Sequence, residues 1–379
     1  MTSELSSLCS YAKGKVSVDT LSKRNYVSTE NMMPNKGGIV DAGALPSAQY
    51  TQQYIKDDIL VSNIRPYFKK IWMADDDGGC SNDVLVFRAD RGCDSTFLYY
   101  ILANDAFFNY ASATSKGTKM PRGDKTAIMQ YKVPCFNYET QLRIGKLLRS
   151  IDDRIAVNKK INDNLQQQLF SLYENMATAS PCLKEYTLSN LCDFQEGYVN
   201  PPQTYPEYFD GEVKWLRAVD INESFIIETS RTLTKAGFES AKKSALLFEP
   251  NTIAISKSGT IGRLGIIADY MCGNRAVINI APHDTNMLAF IYCFLKSKQR
   301  EFPDMAVGSV QKNLYVSLLE PLSVSIPDNE SLTAFNAVGA SILGMIHNNC
   351  VENTDLANLR DTILPKLMSG EIDVSSVLL

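Results

Sequence analysis

The chain has 379 residues, more than one domain usually holds, and its 45% apolar and 21% charged residues exclude a disordered chain. A net charge of −4 excludes indiscriminate binding to polyanions but leaves room for a local basic footprint. No apolar run approaches the roughly 18 residues of a membrane span, and Met1-Thr-Ser-Glu4 has no signal-peptide layout, so a cytoplasmic protein is expected.

Residues 1–137 alternate short apolar runs with turn signals at Pro34–Gly38, Asp77–Gly79 and Pro121–Gly123. Ile59–Ser62 and Val84–Phe87 are predicted strands and Phe97–Phe108 a short helix, which makes a β-rich α/β module. Over residues 138–178 the period changes. Ile144, Ile151, Asn158, Leu165 and Leu172 recur every seven residues, widened by Leu147, Leu148, Ile155, Ile161 and Leu169. That stripe predicts one long helix of about 60 Å at 1.5 Å per residue.

After a Pro181-Cys182 linker, residues 179–328 repeat the globular plan. Strands are expected at Leu188–Cys192, Val213–Val219, Thr252–Ser256, Ala276–Ile280 and Leu319–Ile326, with turns at Pro201-Pro202, Asp210-Gly211 and Ser258-Gly259. Residues 329–370 form a second helix with Phe335, Ile342, Asn349, Leu356 and Ile363 in heptad positions, closed by Gly370, and 371–379 is a tail.

The repetition is literal. Gly117 and Gly308, Val133 and Val324, Glu139 and Glu330, Asn158 and Asn349, and Asn162 and Asn353 are all separated by 191 residues, with no gap needed. Leu5–Cys9 echoes Leu188–Cys192, and Ile59–Asp75 echoes Ile253–Asp269. Two matched apolar stripes most simply bury each other. With a whole domain between them, antiparallel pairing is the easiest closure. Asn158 and Asn349 then either face one another and fix register or simply lie on the surface.

Chemistry is hard to find. The nine cysteines are scattered without a C-x-x-C pair, and His283 and His347 lack metal-ligand spacing. Gly123-Asp-Lys-Thr126 lacks the order of a phosphate-binding loop, and Ser258-Gly-Thr-Ile-Gly262 is an isolated Gly turn. Asn200-Pro-Pro-Gln203 has the outline of the loop with which adenine-N6 methyltransferases hold a flipped base, but Gln203 replaces the stacking ring. Glu212-Val-Lys214 has the E-x-K form of a nuclease, without an acid on a neighbouring strand. No metal and no cofactor is expected. The chain is predicted to bind rather than catalyse.

Taken in order, these segments resemble the specificity (S) subunit of type I restriction–modification enzymes. The likeness is carried by Leu364–Val374, by Gln195–Pro202 running on to Val213–Ile221, and by Ser258–Gly262. In the first half it is carried by Tyr26–Gly38 and Asp58–Tyr67. The resemblance implies an α+β chain with two pseudo-symmetric target recognition domains and two long helices forming an antiparallel coiled coil. Each domain would read one half of a bipartite site in double-stranded DNA, and the helices would set the unread spacer. The helices would also dock two modification subunits bearing S-adenosylmethionine and the methyltransferase activity, which motor–nuclease subunits join. The first half has Asn63-Ile-Arg-Pro66 in place of the Gly-Thr-Ile-Gly turn, so the two domains should read different sequences. The alternatives are an adenine-N6 methyltransferase of unusual layout and a coiled-coil scaffold that binds no nucleic acid.

Basic side chains and amides supply the candidate contacts, because phosphates attract Lys and Arg while Arg, Lys, Gln and Asn discriminate base edges. In the first domain these are Arg65, Lys69, Lys70, Lys116, Lys119 and Arg122. In the second they are Lys257, Arg263, Gln311, Lys312 and Asn313.

Overall fold

The period-seven stripes form helices at Tyr138–Ala179 and Asn329–Ser369. Each begins at a side-chain cap. Thr140 N–H donates to Asn137 Oδ1 at 2.8 Å, and Ser331 N–H donates to Asp328 Oδ1 at 2.8 Å. The two caps stand 191 residues apart, so the duplication extends to the helix starts. Gly370, at φ +77°, ends the second helix in the left-handed conformation that glycine adopts most cheaply.

The computed structural model describes residues 2–179, 184–309 and 311–375; the Pro181-Cys182 linker and the last four residues of the tail lie outside them. The chain divides into two units, residues 1–154 with 356–379, and residues 155–355. Each long helix therefore contributes one segment to each unit.

In the first unit, Cys9–Tyr11, Val84–Ala89, Ile59–Ser62 and Ile71–Met73 form an antiparallel sheet in that order. A second four-stranded sheet holds Lys15–Ser17, Tyr50–Tyr54, Gly78–Cys80 and Tyr26–Val27. The expected helix over Phe97–Phe108 is two helices, Ser95–Ala103 and Asp105–Ala113. Asn104 separates them, because its side chain accepts the Ala106 N–H and starts a new helix. Phe87, Phe97, Ile101 and Phe107 share one buried cluster with Ile144 and Leu148 of the first long helix and Leu364 and Leu367 of the second. The helix pair is thus part of the domain core. Asp152 joins all three elements, accepting the Tyr100 hydroxyl at 2.6 Å and pairing with Arg360 at 2.6 Å. Burial, and then the neighbouring Asp152 charge, push the Tyr100 phenol up, so it stays a donor.

The second unit has the same plan. A five-stranded sheet runs Cys192–Glu196, Val277–Pro282, Ile253–Ser256, Leu264–Ile267 and Phe225–Ile226. A four-stranded sheet runs Thr232–Leu233, Phe209–Leu216, Met271–Gly273 and Leu247–Phe248. Leu169, Tyr173, Phe335, Ile342 and Ile346 enter the same cluster as the helix Leu288–Lys298. Full burial of such side chains is worth about 1.5–3 kcal/mol each.

Boundaries differ from expectation at several places. The strand expected over Val213–Val219 ends at Leu216 and Ala218–Asp220 is a 3-10 turn, while Gly78 and Gly79 of the turn expected at Asp77–Gly79 lie in the strand Gly78–Cys80. Leu188–Asn190 is a 3-10 turn and the strand starts at Cys192, because Leu188 turns into the core to be fully buried. Val316–Leu319 is a helical turn and only Ser323–Ile326 is strand. Asp210-Gly211 lies within a strand, Phe209–Leu216, where Asp210 at φ +62° marks a bulge against Thr232–Leu233.

Within the second unit the helices run antiparallel, with Tyr173 against Phe335 and Asn162 against Asn349. Asn158 and Asn349 do not face one another. Asn158 Nδ2 donates to Asn353 Oδ1 at 3.0 Å, and Asn349 Nδ2 donates to Asn162 Oδ1 at 2.8 Å. Each asparagine of one repeat meets the asparagine one turn on in the other. This reciprocity is the mark of an isologous contact, here between two halves of one chain. Asn158 and Asn162 are buried, so surface exposure does not describe them. Such a layer trades stability for register, since a slip would leave buried amides without partners.

Asn162→Leu should destabilise the fold by about 1–3 kcal/mol, because it strands the Asn349 amide, and Asn162→Leu/Asn349→Leu should recover much of that loss. Denaturant unfolding of the two variants checks this. Additive losses would mean that the pair carries no coupling.

Candidate nucleic-acid interface

In the first unit the strand Ile59–Ser62 runs into Asn63-Ile-Arg-Pro66, and a hairpin folds over that loop. Lys116 N–H donates to Arg122 O at 2.8 Å and Arg122 N–H donates back to Lys116 O at 2.9 Å. Arg65 N–H donates to Pro121 O, and Gly123 N–H to Asn63 O. Gly117, at φ +97°, makes the turn possible. The hairpin therefore brings Lys116, Lys119 and Arg122 to the loop that carries Arg65, Lys69 and Lys70.

The second unit repeats the device 191 residues on. Val307 N–H donates to Asn313 O at 3.0 Å and Asn313 N–H returns at 2.9 Å. Gly308, at φ +142°, stands where Gly117 does. The hairpin leans on the loop after Ile253–Ser256, with Leu314 N–H donating to Lys257 O at 2.9 Å. Ser256 Oγ donates to Thr260 O and receives Arg263 N–H, which ties the loop into a closed turn. Gln311, Lys312 and Asn313 thus adjoin the loop of Lys257 and Arg263; Val310 lies outside the described residues.

The cations are not equally available. Lys257 Nζ donates to both oxygens of Glu196 at 2.9 Å and lies 4.8 Å from the Tyr315 ring, with 13% of its side chain exposed. Its charge is balanced by Glu196, and the contact ties the loop to the Cys192–Glu196 strand. Lys70 Nζ donates to Thr29 O, and burial lowers its pKa. Lys69 shares Asp105 with Lys36. Burial would raise the Asp105 carboxyl, but the two lysines outweigh it and hold it below the usual carboxylate range. Lys116 pairs with Asp124 and Arg122 with Asp83, both at the surface, where such pairs are worth little. Arg65, Lys119, Arg263 and Lys312 have no ion pair among the described residues.

Two features escaped the sequence. Arg65 and Lys69 hold left-handed backbone at φ +51° and +52°, on either side of the Pro66–Phe68 turn. Tyr67 and Phe68 are exposed there with rings 4.8 Å apart, a pairing of aromatic and basic groups that the charge pattern alone did not mark. A left-handed arginine costs about 1–2 kcal/mol, which a loop selected only for stability would avoid.

The apparent catalytic motifs have structural uses. Gln203 Oε1 accepts from Arg231, and Lys214 is paired with Glu228 and Asp269. His283 meets Asp193 at 3.2 Å, and His347 packs edge-on against Phe225. Among the described residues, no group of His, Cys, Asp and Glu is arranged to hold a metal, and none of the cysteines is paired.

Residues 1–167 and 183–354 match the family model described as type I restriction modification DNA specificity domain. The chain is 24% identical over 308 residues to the type I restriction enzyme MjaIX specificity subunit of Methanocaldococcus jannaschii, covering 76% of this chain and 71% of that protein. It is 27% identical over 176 residues to the HindI specificity subunit of Haemophilus influenzae, covering 45% of this chain and only 38% of that protein. In fold it is similar to the crystal structure of a type I restriction-modification S subunit from M. genitalium, with a TM-score of 0.57, 19% identity and coverage of 97% and 96% of the two chains.

Arg65→Gly should leave stability within about 1 kcal/mol, since relief at the left-handed position offsets the added freedom of the unfolded chain. Affinity for duplex DNA should fall by roughly 5- to 100-fold, the worth of a good arginine contact. Thermal unfolding and DNA titration of the same variant separate the two effects. Unchanged affinity would remove Arg65 from the interface.

Proposed function

Since the chain belongs to the type I restriction modification DNA specificity family, we propose that each of its units reads one half of a bipartite DNA site through the loop and hairpin just described. A specificity subunit is a recognition component and not an enzyme. The observation that carries the division of labour is the recurrence of one reciprocal backbone bridge, Lys116 with Arg122 and Val307 with Asn313, 191 residues apart and each seated on a strand-end loop. One scaffold presents two different sets of side chains, so the two half-sites differ. Phosphate contacts fix position and supply affinity, while Arg263, Gln311, Lys312 and Asn313 in one unit and Arg65, Lys119 and Arg122 in the other are placed to sort sequences. Lys69, Lys70 and Lys257 hold the loops in shape and balance their charge, while Lys116, exposed and paired with Asp124 only at the surface, is a phosphate contact.

The partners follow from this role. Two modification subunits bring S-adenosylmethionine and transfer the methyl group, and motor–nuclease subunits complete the assembly on unmodified DNA. The long helices supply the docking surfaces for the modification subunits, and the complex works in the cytoplasm. No helix of the described residues is long and apolar enough to cross a membrane.

Exchanging residues 183–328 for those of a relative with another target should alter one half of the methylated sequence and leave the other half intact. Methylation mapped after reconstitution with the modification subunits reads this directly. A change in both halves, or methyl transfer by the chain alone, would contradict the reading.

A further inference from the structure

Each unit carries a second feature that the loop and hairpin do not use. In the second unit the chain leaves the strand Cys192–Glu196 through Gly197, which crosses the Met271–Gly273 strand so closely that a Cβ would lie 2.2 Å from Asn274 O. That crossing sets Tyr198 and Asn200 beside Arg275. Gly237 likewise lets the helix Lys235–Glu239 lie against Tyr208 O, 2.1 Å from where its Cβ would stand. Between them opens a cleft of about 580 Å³ lined by Tyr198, Tyr205, Tyr208, Lys242 and Arg275. Tyr198 and Tyr205 are about half exposed, and Lys242 and Arg275 are exposed with no ion pair among the described residues.

The first unit has a cleft that shares one matched edge with this one and is otherwise built from different segments. Gly14 stands 183 residues before Gly197, the same separation as Cys9 and Cys192, and Lys15 corresponds to Tyr198. This cleft of about 320 Å³ is lined by Tyr11, Lys15, Tyr50 and Lys125. Lys15 and Lys125 are exposed and likewise lack an ion pair among the described residues.

Both clefts adjoin the hairpin sites. Tyr198 donates to Glu196, which holds Lys257, and Lys257 lies over Tyr315. In the first unit Asn82 and Lys125 line the cleft next to Asp83 and Asp124, the partners of Arg122 and Lys116. Tyrosine hydroxyls and unpaired cations around an open trough suit phosphate and sugar more than base edges.

We propose that the two clefts seat the DNA backbone on either side of the bases that each unit reads, with Lys242 and Arg275, and Lys15 and Lys125, as the phosphate contacts. The proposal rests on the DNA-reading role of the units. It assigns sequence-independent affinity to the clefts and sequence choice to the loops and hairpins.

The test uses the full chain assembled with its modification subunits, a mixed-sequence DNA duplex and a range of salt concentrations. Each lost phosphate contact should reduce the slope of log affinity against log salt by about 0.9, so Lys242→Ala/Arg275→Ala should lower it by about 2. The methylated sequence should stay the same. Lys242→Arg/Arg275→Lys should restore the slope, which separates charge from folding. An unchanged slope, or a changed methylated sequence, would overturn the backbone assignment. Failure of the wild-type assembly to favour any DNA sequence would instead defeat the functional reading from which it starts.

Discussion

Everything in this chain hangs on the mutual burial of two apolar stripes, one in each long helix. Neither helix is a free spacer. Ile144, Leu148, Leu364 and Leu367 lie in the same buried cluster as the sheet and helices of the first unit, and Leu169, Phe335, Ile342 and Ile346 do the same in the second. Asp152 extends this with polar contacts, holding Tyr100 from the globular part and Arg360 from the opposite helix. Loss of helix pairing would therefore open the core of each unit, not just detach a connector. The reciprocal asparagine layer adds the choice of register, since apolar stripes alone tolerate sliding by a heptad.

The proposed recognition surfaces mix cations whose charge is balanced within the unit with cations that have no ion pair among the described residues. Lys257 is committed to Glu196, Lys69 and Lys36 to Asp105, and Arg122 to Asp83. This reconciles a net charge of −4 with DNA binding. In the proposed role each unit reads only half of the site, so each contributes only part of the affinity. Two readers on one chain make the second encounter intramolecular, and affinity then compounds only on DNA that presents both half-sites at the right distance.

Much of this was legible because a duplicated sequence checks itself. A lone heptad stripe could belong to any amphipathic helix, but the same stripe 191 residues later called for a partner, and the pairing is present. Gly117 and Gly308 were visible as a matched pair, and both make the hairpin turn. Other features stayed hidden for physical reasons. Asn104 splits one apolar run into two helices by a side-chain cap, and Leu188 gives up its strand to reach the core. The left-handed backbone of Arg65 left no mark, because arginine is not the residue that such a turn favours. The asparagine layer was half visible. Position fixed which residues matched, but only the observed register shows that Asn158 meets Asn353 rather than Asn349. Among the candidate contacts, residue type could not separate Lys257, which pairs with Glu196, from Lys312, which has no ion pair among the described residues.

The central claim is that the two units are versions of one DNA reader, engaged through matched segments. Amide hydrogen exchange of the full chain, assembled with its modification subunits and compared with and without target DNA, tests this most directly. Slowed exchange is expected in both strand-end loops, residues 63–70 and 257–263, and in both hairpins, residues 116–123 and 307–313. Slowing confined to one unit, or falling on segments that do not correspond between the repeats, would contradict the account.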